Sequence, residues 1–140
     1  MRASNVRLVY ASGSGYGFSG PDRDSLAMDV TVQAASGMMS VTGFSDGPPV
    51  KAGPAVVDFM SGIHFFAGAM TALYERTFTG RGRLVEVAMQ EVVFPALASN
   101  FASLYDGGTV PMRPGTAAAR SPPRPTTSTP PQTATSPSSP

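Results

Sequence analysis

The order of apolar and turn-forming residues predicts an α/β fold, and three features carry that expectation. A β-branched and apolar run, Val6 to Ala11, closes on the glycine-rich stretch Ser12-Gly13-Ser14-Gly15-Tyr16-Gly17, as a buried strand does at its turn. A mostly apolar pattern runs from Pro54 to about Phe78 with no internal proline. Leu84 to Ala88 alternates as Leu-Val-Glu-Val-Ala and leads into a further helical pattern from Met89. Strand, helix, helix, strand, helix is the order of an α/β chain.

Each element has its local reasons. Gly20-Pro21 extends the loop after the first strand, and from Ala27 to Met39 apolar residues recur at helical spacing until Gly43 and Pro48-Pro49 break the chain. Pro54 suits the first turn of a helix, and Thr79-Gly80-Arg81-Gly82 supplies its stop. About 25 residues at the helical rise give a rod of roughly 36 Å. A helix that long and apolar all round is expected to be buried. The last helical pattern runs from Met89 to about Tyr105, with Pro95 expected to kink it.

Composition narrows the possible functions. Of 140 residues 41% are hydrophobic, but unevenly so: Ser121 to Pro140 hold 17 Pro, Ser or Thr in 20 positions. Such a segment cannot bury enough surface to offset its ordering entropy, so 114–140 is expected to be a disordered low-complexity tail behind a folded unit of 1–113. The net charge is +1 with arginines scattered at 2, 7, 23, 76, 81 and 83, which gives no basic stripe for nucleic acid or anionic lipid. The absence of cysteine excludes disulfide scaffolds and thiolate metal sites and fits a reducing compartment, so the cytoplasm is the expected location. The N-terminal residues lack the apolar core of a secretory signal, and the longest apolar stretch, Phe59 to Tyr74, has 16 residues, short of the roughly 20 that span a bilayer.

Asp58 is the conspicuous polar residue, a lone carboxylate in Pro54-Ala55-Val56-Val57-Asp58-Phe59-Met60-Ser61-Gly62. Position alone leaves two alternatives: the N-cap of a helix beginning at Phe59, or a nucleophile near a helix start. A helix N-terminus favours the ionised form while burial leaves it poorly solvated, which suits attack on a thioester. Gly13 to Gly17 lacks the spacing of a dinucleotide fingerprint and is taken as a turn, and no metal-ligating constellation is present.

Taken together, Ser14-Gly15-Tyr16-Gly17, Gly20-Pro21, Asp29, Gln33-Ala34, Ser36-Gly37, Thr42-Gly43, Pro48-Pro49, Gly53, Asp58, Gly62, Gly68, Ala72-Leu73, Arg76, Thr79-Gly80, Gly82, Val85 and Val87 resemble the class III CoA-transferases, the CaiB/BaiF family, from about Asn5 to about Arg113. The resemblance implies a partial Rossmann-like parallel-sheet domain, of which two strands and three helices are present here. It implies CoA transfer between an acyl-CoA and a carboxylic acid, through an acyl-aspartyl anhydride and an aspartyl-CoA thioester. Asp58 stands at the position of that aspartate. Asp29 stands where the formyl-CoA transferase branch has an active-site glutamate, although as an aspartate it could equally cap the helix that follows. Ser25, Leu26, Ala27 and Met28 align with a segment lining the CoA site. Coenzyme A and acyl-CoA enter as substrates, and no permanently bound cofactor is expected.

The resemblance also bears on the alternatives. The 2-methylacyl-CoA racemases of this superfamily place a proton-transferring histidine at the position of Met28, and methionine cannot move protons. His64, the only histidine, lies six residues after Asp58 on another helical face and is expected to be a packed or edge residue. Full-length members are longer and form interlocked homodimers, so an inactive truncated remnant is the other expectation for this chain. The exposed faces of Phe65, Phe66, Phe94 and Phe101 would then favour aggregation or dependence on a partner. A frameshift is a further expectation for Pro125 to Pro140, whose altered frame is compatible with a later family segment; a nucleotide sequence with stops in that frame would refute it.

Overall fold

A computed structural model describes residues 5–107 and 113–116. Strand β1 (Tyr10–Ser14) pairs in parallel with β2 (Leu84–Ala88), in register from Tyr10 opposite Leu84 to Ser14 opposite Ala88. A parallel pair needs a long crossover. Here it holds α1 (Asp29–Ala35), a short 3₁₀ turn (Met38–Val41) and the 24-residue α2 (Val56–Thr79). Two helices follow β2, α3 (Met89–Ala96) and α4 (Ala98–Gly107). The α/β, parallel-sheet expectation is met.

The core forms where α1, the first turn of α2 and α3 converge. Val32, Val57, Val92, Val93 and Leu97 are buried there, with Tyr16, Met38, Met60 and Phe101 packed around them. Apolar residues at helical spacing on each helix supply this contact, so the core sits beside the N-terminus of α2. The far end of α2 is tied down by backbone contacts. Gly80 ends the helix by donating to the Arg76 carbonyl at 3.0 Å, and Gly82 donates to the Val6 carbonyl at 2.8 Å. Only glycine fits at 82, because a Cβ there would lie 1.9 Å from the Leu8 carbonyl oxygen.

Several expectations change. The first strand lies at Tyr10–Ser14 rather than at Val6 to Ala11, because the ladder with β2 fixes its register and draws Gly13 and Ser14 out of the expected turn. The first helix is seven residues long, and Met38–Val41 winds separately as a 3₁₀ turn beyond Ser36-Gly37. The last helical pattern divides at Leu97 into α3 and α4, with Pro95 in the final turn of α3.

Helix α2 departs most from expectation. Its 24 residues make it long and apolar enough to cross a membrane by length and composition, beyond the 16-residue run expected. It is also mostly uncovered, since only Val57 and Ala72 are buried and Phe59, Ile63, Phe66, Tyr74 and Phe78 are each about two-thirds exposed or more. Its inner side packs on β2 and α3, and the side facing away has no covering layer among the described residues. Of the four phenylalanines expected to lie bare, Phe66 and Phe94 are exposed while Phe65 and Phe101 are half-buried, the latter stacked on Phe94 at 4.8 Å.

Beyond α4, Arg113 donates to the carbonyls of Phe44 at 3.0 Å and Gly47 at 2.5 Å, and Gly115 donates to the Gly43 carbonyl at 2.9 Å. This returning segment closes on the loop between the 3₁₀ turn and α2. Residues 117–140, which hold most of the expected tail and all of its altered-frame segment, lie outside the described residues.

Candidate active site

Asp58 is the third residue of α2, whose N-cap position is held by Ala55. It is therefore neither the N-cap nor buried: its side chain is exposed at the mouth of the helix start. The reason is periodicity. Val57 turns into the core, which carries its neighbour Asp58 about 100° round the helix and out toward solvent.

Ala55 has no side chain with which to satisfy the amides it precedes, so the cap comes from another helix. Asp29 Oδ1 accepts the backbone N–H of Val57 at 2.7 Å and of Asp58 at 3.3 Å. Its second oxygen, Oδ2, accepts from Gln33 Nε2 at 2.5 Å, and Gln33 Oε1 accepts from the Ala52 N–H at 2.8 Å. Asp29 thus caps α2, not the helix that it opens. The start of α1 is held instead by Thr31, whose hydroxyl accepts from the Met28 N–H at 2.8 Å and donates to the Met28 carbonyl at 2.9 Å. The two predicted carboxylates are brought together through the backbone of α2.

Asp58, Ser61, Gly62 and Phe65 fall on one face at helical spacing. Asp58 lines an apolar groove of about 400 Å³ with Phe59, Gly62, Ile63 and Phe66. Gly62 also lines an adjoining cavity of about 510 Å³, where Ser25, Leu26 and Ala27 face Ser61 and Phe65. Three of the four predicted CoA-contacting residues therefore share a cavity with Ser61 and Gly62, which stand one helical turn after Asp58; Met28 does not line the cavity and is 67% exposed. Gly15 lets this segment approach β1, since a Cβ there would sit 2.1 Å from the Ala27 Cβ. A third cavity, about 550 Å³, is built from other residues around Phe94, Phe101, Tyr16 and Gln90 and contains none of the predicted site.

His64 is exposed, with its Nδ1 2.8 Å from the Met60 carbonyl oxygen of its own helix. Among the described residues no group of three His, Cys, Asp or Glu could hold a metal ion. The residue that sequence reasoning left without a role is Gln33, fully buried between Asp29 and the loop before α2. Its signal was present in the four-residue spacing from Asp29, which places the two side chains together on one helix face.

The chain is a member of CoA-transferase family III, whose sequence model matches residues 1–130. It is 50% identical over 93 residues to a formyl-CoA:oxalate CoA-transferase of Streptomyces avermitilis, covering 66% of this chain and 22% of that protein. A succinate–glutarate CoA-transferase of Agrobacterium fabrum is 37% identical over 117 residues, covering 84% and 29%. Among solved structures, a CaiB/BaiF family protein from Brucella suis matches with a TM-score of 0.76 at 30% identity, over 80% of this chain and 30% of that one. The chain thus spans between about a fifth and a third of the length of these relatives.

Proposed function

We propose that this chain carries the nucleophile segment of a CoA-transferase that moves CoA between an acyl-CoA and a small carboxylic acid. The observation that carries this is the position of Asp58 in the first turn of α2, in a groove that shares Gly62 with the cavity lined by Ser25, Leu26 and Ala27. A carboxylate in the first turn faces the positive end of the helix dipole and the amides of that turn. In the proposed reaction an Asp58 oxygen attacks the thioester carbonyl, the C–S bond breaks, CoA leaves as the thiolate, and an acyl-aspartyl anhydride remains. The thiolate then attacks the aspartyl carbonyl of that anhydride, releasing the first acid and leaving an aspartyl-CoA thioester. The acceptor carboxylate attacks the carbonyl of the aspartyl-CoA thioester, the C–S bond breaks, and CoA leaves as the thiolate from a second mixed anhydride; that thiolate attacks the acceptor's carbonyl, giving the new acyl-CoA and releasing the Asp58 carboxylate.

Asp29 acts in this scheme by holding the amides of Val57 and Asp58, since both its oxygens are engaged. Gly62, which has no side chain, borders both groove and cavity. The named substrates of the relatives are formyl-CoA, acetyl-CoA, oxalate, succinate and glutarate, all small acids or their thioesters. We extend that size class, and no particular acid, to this chain.

A second possibility, an inactive remnant, is favoured by the exposure of Asp58, because an anhydride open to water is hydrolysed before CoA can be passed on. Incubation with acyl-CoA and hydroxylamine separates the two. Transfer predicts an acyl or hydroxamate adduct at Asp58 that is absent in Asp58→Asn, and net CoA transfer to an added acid. A remnant gives no adduct, or gives acyl-CoA hydrolysis without transfer.

A further inference from the structure

Gln33 is the one buried polar side chain among the described residues, and the proposed chemistry does not use it. We propose that Gln33 is a positioning residue for acyl transfer: it holds Asp29 and the loop at Ala52 so that the first turn of α2 presents Asp58 in a single place. The proposal rests on the assignment of Asp58 as nucleophile.

The physical ground is the direction of the hydrogen bonds. The Ala52 N–H donates to Gln33 Oε1, Gln33 Nε2 donates to Asp29 Oδ2, and Asp29 Oδ1 receives the N–H groups of Val57 and Asp58. Without Gln33 the Asp29 carboxylate would be free to turn about its own axis, and the amides that it holds belong to Asp58 and its neighbour. The link needs a group that accepts from the loop on one side and donates to a carboxylate on the other. Glutamine does both, and the buried site fixes which way round it sits, since a flipped amide would set two donors against each other at Ala52. An ionised glutamate of the same shape accepts at both ends and would face Asp29 as a second negative charge. A protonated glutamate restores the missing donor.

Gln33→Glu therefore makes the positioning dependent on pH. The charged and titratable groups on the elements packed against α1 and in the loop before α2 are Asp29 on α1 itself, Asp46 and Lys51 in the loop, Asp58, His64, Tyr74, Glu75 and Arg76 on α2, and Glu91 on α3. The same background is present in the wild-type chain, so each pH is compared with wild type at that pH. In steady-state CoA transfer, Gln33→Glu is expected to lose roughly 10- to 100-fold in kcat above neutrality, with KM within about twofold, and to approach wild type as the pH falls. Gln33→Met, which can neither accept nor donate in this way, is expected to stay impaired at every pH. Wild-type kcat for Gln33→Glu at alkaline pH, or a loss that acidification does not narrow, overturns the proposal.

A second readout does not depend on turnover. Amide hydrogen exchange at Val57 and Asp58 is expected to be about tenfold faster in Gln33→Glu than in wild type at alkaline pH, and equal to it in acid. Equal exchange at all pH values overturns the proposal even if activity falls. If the wild-type chain forms no adduct on Asp58, the nucleophile assignment fails, and altered exchange would then leave Gln33 only a structural clamp.

Discussion

Replacing Asp29 by asparagine tests the link between helices most directly, because the change removes a charge and one acceptor while keeping the shape. The introduced amide could still offer its carbonyl oxygen to the N–H groups of Val57 and Asp58, but its NH₂ would then face the NH₂ of Gln33. Turning Gln33 over relieves that clash and sets its NH₂ against the Ala52 N–H. Turning the new amide over instead moves the clash to Val57. Every arrangement leaves one donor facing another, and an unmet buried donor costs about 1–3 kcal/mol. The lost negative charge at the start of α2 adds about 0.3–1 kcal/mol. Asp29→Ala removes the cap entirely, at about 0.5–2 kcal/mol, and leaves the Gln33 donor unmet as well, at about 1–3 kcal/mol, for a total of roughly 1.5–5 kcal/mol. At urea m-values of about 1–3 kcal/mol per M, Asp29→Asn should lower the unfolding midpoint by roughly 1 M, and Asp29→Ala by at least as much. Far-UV circular dichroism through a urea titration measures both. An Asp29→Asn chain that melts with wild type, or an Asp29→Ala chain more stable than it, would show that the tertiary cap does not hold α2.

Other expectations are local. Gly82→Ala places a Cβ 1.9 Å from the Leu8 carbonyl oxygen and 2.2 Å from its carbon, so backbone must move, and a loss of about 3 kcal/mol is expected in the same urea titration. Gly53→Ala, with nothing within 4 Å, should stay within about 0.5 kcal/mol of wild type. Gly62→Ala also meets open space and lies inside α2, so it should stabilise the helix by roughly 0.5–1 kcal/mol. Because Gly62 lines both cavities, the same change should raise KM for acyl-CoA; an unchanged KM would argue against acyl-CoA lying over Gly62. The bare stripe of Phe59, Ile63, Phe66, Tyr74 and Phe78 should drive self-association that Ile63→Lys with Phe66→Lys weakens, as read by sedimentation velocity. A wild-type chain that sediments as a monomer at all concentrations refutes this.

Much of the fold was legible along the chain because its signals are local. Leu84 to Ala88 alternates with period two and is the strand, residue for residue; the long helix falls within two residues of its expected limits because Pro54 and Gly80 mark its ends. The first strand slipped by several residues because nothing local says which part of Val6 to Ser14 pairs with β2. That depends on a partner more than 70 positions away in sequence. The burial of α2 was misjudged for a related reason. Apolar composition says that a helix can be covered, while coverage itself depends on which other segments lie against it.

The site divides in the same way. Asp58 could be singled out from its residue type, because a carboxylate among apolar neighbours is a property of the chain itself, whereas Asp29 and the segment Ser25 to Met28 were marked only by the resemblance to the class III CoA-transferases. The sequence by itself determined the order of strand and helix along the chain, the long helix and second strand nearly to the residue, and the family. Only the tertiary structure decided that Asp58 faces solvent, that Asp29 caps a helix beginning 27 residues after it, and that Gln33 joins the two. Those facts follow from how α1 crosses the start of α2. A hydrogen bond between distant segments depends on distances and angles of a few tenths of an ångström, which no one-dimensional spacing carries.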